Sequence, residues 1–248
     1  MSNSLPKVSI ITVCYHAEKY IERTIQSVIR QTYPNIEYLV IDGNSKDRTA
    51  EIIRKYHDKI DYFLSERDRN HFDAMNKGLQ AATGDYIWYM NAGDCIYAPD
   101  TLEKAMKEGA GKDFIYGEFI MTDESGNTRK YHKKTPPPDQ LSPKSFMNGM
   151  VICHHSMIVK RSLAPEYDLR WKVAGDTEWA IRVLKKVRSW QYVNIPFCLY
   201  LEGGISAKNR WKSVVERFHF SRKHFGLLPT LLEQFKIAWQ VIRRGTVC

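Results

Sequence analysis

The alternation of β-branched runs with helical repeats over the first 90 or so residues constrains the fold more than any other feature of this chain. Val8 to Cys14 (VSIITVC) reads as a buried strand, and Tyr20, Ile21, Ile25, Val28 and Ile29 follow at helical spacing until Tyr33-Pro34. A second run, Ile36 to Ile41, ends in Asp42-Gly43-Asn44-Ser45, after which Asp47 or Ser45 can cap a helix holding Ile52 and Ile53. A strand over Ile60 to Leu64, a helix over Phe72 to Ala82 closed by Gly84, and a strand over Tyr86 to Met90 complete four alternations. This rhythm predicts an α/β fold, a mostly parallel central sheet with helices on both faces. The middle departs from it. Phe114 to Met121 and Thr128 to His132 flank Asp123 to Asn127 and predict a small antiparallel hairpin, and Thr135 to Pro138 with Ser142-Pro143 forms a stiff connector. A strand from Val151 to Val159, a short helix opening near Asp176, and a strand from Ser189 to Phe197 follow, and beyond Gly203-Gly204 the sequence is helical and basic.

The size of the chain, 248 residues, favours one large domain or a domain with a small appendage. A composition of 43% hydrophobic and 26% charged residues excludes wholesale disorder. The net charge of +9 is unevenly placed: from Lys208 onward there are nine basic residues and two acidic ones, so most of the surplus lies in the tail. A near-neutral body with a basic tail argues for one localised contact with an anionic partner and against a nucleic-acid-binding protein. No run approaches the ~18 apolar residues of a membrane span, and the opening MSNSLPKVSI lacks the pattern of a secretory signal, so the expectation is a cytoplasmic protein, peripheral at most on the cytosolic face of the inner membrane. The five cysteines are scattered without a C-x-x-C pair and read as reduced core thiols.

In a parallel sheet ligands bind beyond the carboxyl ends of the strands. Three of those ends are polar here: Thr12 to His16, Asp42 to Ser45, and Asn91 to Asp94. Neither G-x-G-x-x-G after the first strand nor G-x-x-x-x-G-K-[ST] occurs, so a bound nucleotide must be held by side chains and a metal. Asp42 can accept hydrogen bonds from a base or ribose, and Asp94 can offer a carboxylate to a divalent cation that also takes phosphate oxygens. Taken singly, each is equally a turn aspartate.

Taken together, V-S-I-I-T-V, I-D-G-x-S-x-D-x-T, S-E-x-D-x-x-x-x-D-A-M-N-K-G and N-A-G-D, in that order, resemble family 2 glycosyltransferases of the GT-A fold, and among them the bacterial subgroup that builds O-antigen and other surface polysaccharides. The resemblance covers residues 6 to 206 and implies a GT-A catalytic domain over residues 1–207 with a basic helical extension over 208–248. It implies that Thr12, His16, Glu18 and Asp42 surround the nucleoside, that Asp68 faces the base or ribose, and that Asp73, Asn76 and Lys77 lie nearer the diphosphate. Asp94, with Asn91 supplying an oxygen or holding the loop, becomes the ligand of a weakly held Mn²⁺ or Mg²⁺, a single carboxylate where relatives carry an Asp-x-Asp pair. Asp176, in A-G-D-T-E-W, takes the position of the general base, a role compatible with an N-cap, and Glu178 is the next candidate on the acceptor side. Of His154 and His155, strand alternation sends one into the cleft, and His155 is the choice. Gly203-Gly204-Ile205-Ser206 reads as a loop closing over the diphosphate with Lys208 or Arg210, or as a surface turn.

The resulting expectation is an inverting, metal-assisted transfer of a sugar from a nucleoside diphosphate sugar, UDP-linked by preference, to a saccharide acceptor carried on a polyprenyl diphosphate. Two rivals are a sugar-1-phosphate nucleotidyltransferase-like enzyme, which would want a glycine-rich basic loop where Cys14-Tyr15-His16-Ala17 stands, and a non-catalytic basic module for membrane or RNA. Leu228, Leu231, Leu232, Phe235, Ala238, Trp239 and Ile242 form a helical apolar stripe beside Lys236, Arg243 and Arg244, which fits an interfacial helix and equally a helix packed on protein.

Overall fold

The computed structural model describes residues 5–130, 141–147, 149–204 and 209–244. Strands β1 (Val8–Cys14), β2 (Ile36–Asp42), β3 (Tyr62–Ser65) and β4 (Tyr86–Tyr89) run parallel in the order β3-β2-β1-β4. The sheet then continues through β8 (Met157–Lys160), β6 (Phe114–Thr122), β9 (Trp190–Leu201) and the short β5 (Cys95–Ile96). β8 is antiparallel to both its neighbours, whereas β9 pairs parallel with β6 across an irregularity near Glu118. β7 (Thr128–Lys130) folds back on β6 as the expected hairpin, with Asp123 accepting bonds from Ser125, Gly126 and Asn127 in its turn.

Every residue of β1 is buried, as a central parallel strand covered on both sides requires. Ile11 and Val13 face one layer and Val8, Ile10 and Cys14 the other. Helices α1 (Ile21–Ile29), α2 (Thr49–Arg54) and α4 (Thr101–Gly109) cover the second layer. The first is covered by α3 (His71–Ala81), α5 (Gly175–Leu184) and α6 (Arg210–Phe225). Asn70 caps α3, its Oδ1 accepting from the amides of Phe72 and Asp73. Gly78 lets this helix lie directly on β1, since a Cβ there would sit 2.4 Å from Cγ2 of Ile11. Gly226, at a φ of 90°, ends α6 and α7 (Leu227–Arg244) follows.

Two expectations change. Val151 to Val159 is a strand only from Met157, because residues 154–156 form a 3₁₀ turn; Trp88 Nε1 and Ser156 Oγ satisfy the carbonyls of His155 and Glu118, which a ladder would otherwise use. The tail beyond residue 207 is no separate body at its start, because Phe220 of α6 is wholly buried in the same core as Trp179 and Phe72. Residues 135–138, 205–206 and 208, assigned above to the connector and the closing loop, lie outside the described residues.

Glu37, buried on β2, closes the other end of the sheet. Its carboxylate accepts from Ser9 Oγ, the Thr83 amide and hydroxyl, and Lys7 Nζ. Burial alone would raise its pKa, but these donors outweigh that and hold it at about 2. Against an unfolded value of ~4.3 this amounts to about 3 kcal/mol of stability, present above that value and lost as pH falls toward 2. Glu37→Gln is therefore expected to unfold at lower denaturant at pH 7 and to lose less stability than the parent between pH 4.5 and 2, as urea titrations across that range would read.

Candidate active site

The chain passes from β1 outward to β2 and β3, then returns to β4 on the other side of β1, so a crevice opens at the carboxyl ends where the direction reverses. Cys14, Asp42 and Ser65 stand in register there. Asp42 is wholly buried, its oxygens taken by Ser45 N (3.1 Å), Ser45 Oγ (2.5 Å) and Ser65 Oγ (2.6 Å). These bonds shape the loop after β2. Thr12, also wholly buried with its hydroxyl 3.1 Å from that of Tyr38, does not reach the crevice. Glu18 is exposed and bonds the Arg48 amide, while its own amide bonds Asp47, which joins the loops after β1 and β2. His16 is exposed, sits at a φ of 48°, and donates its amide to Ser45.

Tyr15, Gly43 and Asp68 meet at this end of the sheet. Tyr15 is 64% exposed and stacks on the His16 ring, a ring that sequence reasoning passed over despite its place at a strand end. A Cβ on Gly43 would lie 2.9 Å from Asp68 Oδ2 and 3.1 Å from the Tyr15 ring, so glycine keeps this recess open. Lys77 Nζ bonds Asp68 (2.6 Å), Glu66 (2.8 Å) and the Arg67 carbonyl (3.1 Å). Burial, stronger than the Lys77 contact, raises the Asp68 pKa above its ordinary value.

Asp73 is held by Arg69 at 2.8 Å. Asn76 is buried and bonded twice to the Tyr167 backbone, Nδ2 to its carbonyl at 3.0 Å and Oδ1 from its amide at 2.6 Å. Both are engaged by the protein in this arrangement. Asp73, Asn76 and Lys77 instead line a polar cavity of about 340 Å³ with Glu66, Arg69 and Glu166, which none of Asp94, His155 and Asp176 borders.

The turn after β4 is the best-anchored part of the crevice. Thr24 Oγ1 donates to the Asp94 carbonyl and accepts from the Gly93 amide, and Arg23 bonds the Gly93 carbonyl, so α1 grips the turn from below. Neither residue was found from sequence. Asp94 Oδ1 accepts from the Leu201 amide at 2.7 Å and Oδ2 from His155 Nε2 at 3.0 Å. His155 Nδ1 lies 3.1 Å from the Tyr89 carbonyl. Burial would lower the His155 pKa, yet the Asp94 carboxylate outweighs it and lifts the imidazole to about 9. His154 is buried as well, 2.5 Å from the Tyr167 hydroxyl, so the 3₁₀ turn and not strand alternation separates the pair. The Asn91 side-chain oxygen is buried without a hydrogen-bond partner among the described residues. Together with Asp94 Oδ2 it makes a small set of hard oxygen donors, which fits Mg²⁺ or Mn²⁺ completed by phosphate and water. No group of three His, Cys, Asp or Glu able to hold a metal occurs among the described residues.

Asp176 stands in the first turn of α5 rather than at its cap, which is Ala174. Its Oδ1 accepts from the Thr177 amide (2.7 Å) and hydroxyl (3.3 Å), and the residue stays partly exposed. Burial of the carboxyl raises its pKa against the Thr177 bonds and the positive charge of His155. Glu178 faces the other way. It is wholly buried, pairs with Arg182 Nε (2.7 Å) and His224 Nε2 (2.9 Å), and cements α5 to α6 instead of meeting an acceptor.

This fold matches solved glycosyltransferases of the GT-A type. Staphylococcus aureus TarS 1-349 in complex with UDP superposes with a TM-score of 0.70 at 18% identity, over 93% of this chain and 72% of that one; the longer TarS chain is covered over 40% of its length. Mannosyltransferase PcManGT from Pyrobaculum calidifontis in complex with GDP-Man and Mn²⁺ gives 0.65 at 20% identity, over 92% and 67%. The sequence profile of Glycosyl transferase family 2 matches residues 9–167, and the chain belongs to that family. An uncharacterized glycosyltransferase of Mycobacterium tuberculosis is 32% identical over 187 residues, 72% of this chain and 69% of the relative. A PGL/p-HBAD biosynthesis glycosyltransferase of Mycobacterium bovis is 27% identical over 229 residues, 88% of this chain and 86% of the relative.

Asn76→Ala removes both partners of the Tyr167 peptide groups and is expected to destabilise the protein by about 1–3 kcal/mol. UDP affinity should change little, since the side chain lies outside the crevice. Chemical denaturation beside calorimetry with UDP separates the two; a large loss of affinity with normal stability would return Asn76 to the donor site.

Proposed function

We propose that the protein is an inverting, metal-assisted glycosyltransferase that moves a sugar from a UDP-linked donor to a saccharide acceptor borne on a lipid diphosphate, in bacterial surface polysaccharide synthesis. The observation that carries this reading is Asp176, a partly exposed carboxylate on a family 2 fold whose Oδ1 accepts from the Thr177 amide and hydroxyl. In the transfer, the acceptor hydroxyl gives its proton to Asp176 while its oxygen bonds the anomeric carbon. The bond from that carbon to the diphosphate breaks on the opposite face, and its electron pair leaves on the diphosphate oxygen. Tyr15 stacks the base and Asp68 orients the nucleoside. A Mn²⁺ or Mg²⁺ ion held by Asp94 and Asn91 would offset the charge of the leaving group. The TarS complex with UDP supports the donor class, and the PcManGT complex with Mn²⁺ supports the metal.

Asp176→Asn keeps shape and an acceptor oxygen and removes the base, a group that contributes typically ~10²–10⁴-fold. It should transfer sugar at least ~10²-fold more slowly, bind UDP as the parent does, and melt no lower, because the lost charge is one that burial disfavours. Burial raises the pKa of the base, so parent activity should rise with pH through a limb above the usual aspartate range. Release of UDP from a panel of UDP-sugars, with Mn²⁺ and with EDTA, provides the assay. Near-normal turnover of the variant would remove Asp176 from the mechanism, and equal rates with EDTA would remove the metal.

The same reading places the C-terminal helices against an anionic membrane. On α6, Trp211, Val214 and Val215 are exposed, as are Leu227, Leu228, Leu232 and Phe235 on α7, beside Arg210, Lys212 and Lys236. Among the described residues no helix is long and apolar enough to cross a bilayer. Vesicles rich in anionic phospholipid should sediment the protein, and Trp211→Ala, Leu228→Ala and Phe235→Ala combined should abolish this; equal sedimentation of both overturns the membrane contact.

A further inference from the structure

Asp176 is placed by the turn it stands in, its Oδ1 accepting from the amide and hydroxyl of the neighbouring Thr177. What fixes that backbone comes from far along the chain. Glu216, on α6 and only 7% exposed, turns its carboxylate into the segment that launches α5: Oε1 accepts from the Lys172 amide at 2.9 Å, and Oε2 from those of Val173 at 3.0 Å and Ala174 at 2.9 Å. Three amides converging on one carboxylate make an anion nest filled by the protein itself. α5 has no side-chain cap of its own, so this borrowed anion also lies where the helix dipole favours negative charge. On the far side of Asp176, Glu178 bonds His224 of the same α6. The catalytic turn is thus gripped by α6 two residues before Asp176 and two residues after it.

We propose that Glu216 is a positioning residue for the acceptor half of the reaction, acting through Asp176; this rests on the reading of Asp176 as the base. Phe220 anchors the helix in the core and Gly149 leaves room for Arg217, whose guanidinium lies 2.7 Å from where a Cβ on Gly149 would stand. The helix that looks from its charge like a surface appendage is therefore a strut of the active site. The reading above draws the donor contacts from the ends of β1 to β3, whereas the bonds of Glu216 go to residues 172 to 174.

The experiment is a double-substitution cycle. Displacement of a base by about 1 Å can cost on the order of 10²-fold, so Glu216→Ala should lower kcat with the acceptor by ~10–100-fold while the Kd for UDP stays within about twofold. Glu216→Gln keeps an oxygen for two amides but turns an NH₂ toward the third, so it should fall between parent and Ala. It carries the measurement if Glu216→Ala lowers stability. In the Asp176→Asn background either Glu216 substitution should add less than about threefold, since there is no base left to misplace. Full additivity, or equal losses of UDP affinity and turnover, would overturn the proposal while leaving Asp176 as the base. Near-normal turnover of Asp176→Asn alone would instead overturn the assignment of the base.

Discussion

Each oxygen of Asp94 accepts one hydrogen bond from the protein and keeps a second lone pair, and the geometry of the crevice depends on this anchoring. One oxygen takes the last amide of β9 and the other the imidazole of His155, so a single carboxylate joins the turn after β4, the turn before β8 and the far end of β9. A buried charge of this kind is tolerated only with a full set of partners, and removal of one partner leaves the other uncompensated. The floor of the crevice is consequently stiff. Arg23 and Thr24 reinforce it from α1, and the side-chain oxygen of Asn91 is buried without a hydrogen-bond partner among the described residues.

The two sides of the crevice are built on different terms. The nucleoside side is made from consecutive strand ends whose loops bond one another, Glu18 with Arg48 and Asp42 with Ser45 and Ser65. Its order is local and arises within the first 80 residues or so. The side built on α5 depends on side chains that reach across the molecule, with Glu216 and His224 arriving from the C-terminal helix.

That difference governs how much was legible in the sequence. β-Branched runs and helical spacing located the parallel strands and their helices because those signals are local. Gly78 could be read as part of a motif, and the structure adds its reason, the contact with Ile11. Residue type did not reveal direction. Thr12 and Asp42 sit at strand ends as expected, yet both turn inward, and Asn76 spends its amide on a backbone 91 residues away. Glu178 looked like a second acid for the acceptor, whereas its partner His224 could not be inferred from any spacing. The histidine pair was placed by strand alternation, which failed because side chains of Trp88 and Ser156 satisfy the backbone and free it to coil. Net charge misled in a similar way: the tail is basic in sum, while one of its few acids does internal structural work that no count of charges could show.

The paired bonds between Asn76 and the Tyr167 backbone set a schedule for synthesis. The helix that carries Asn76 forms early, but its amide stays unmatched until the chain has grown by 91 residues, about 5–18 s at ordinary elongation rates. Glu216 reaches the amides of residues 172 to 174 only 42–44 residues after those are made, about 2–9 s later. The strand ends of β1 to β3 can therefore be shaped on the ribosome well before the start of α5 is fixed. One half of the crevice would thus stand complete for some seconds while the other waits, and its last internal bonds would arrive together with the helix made near the end.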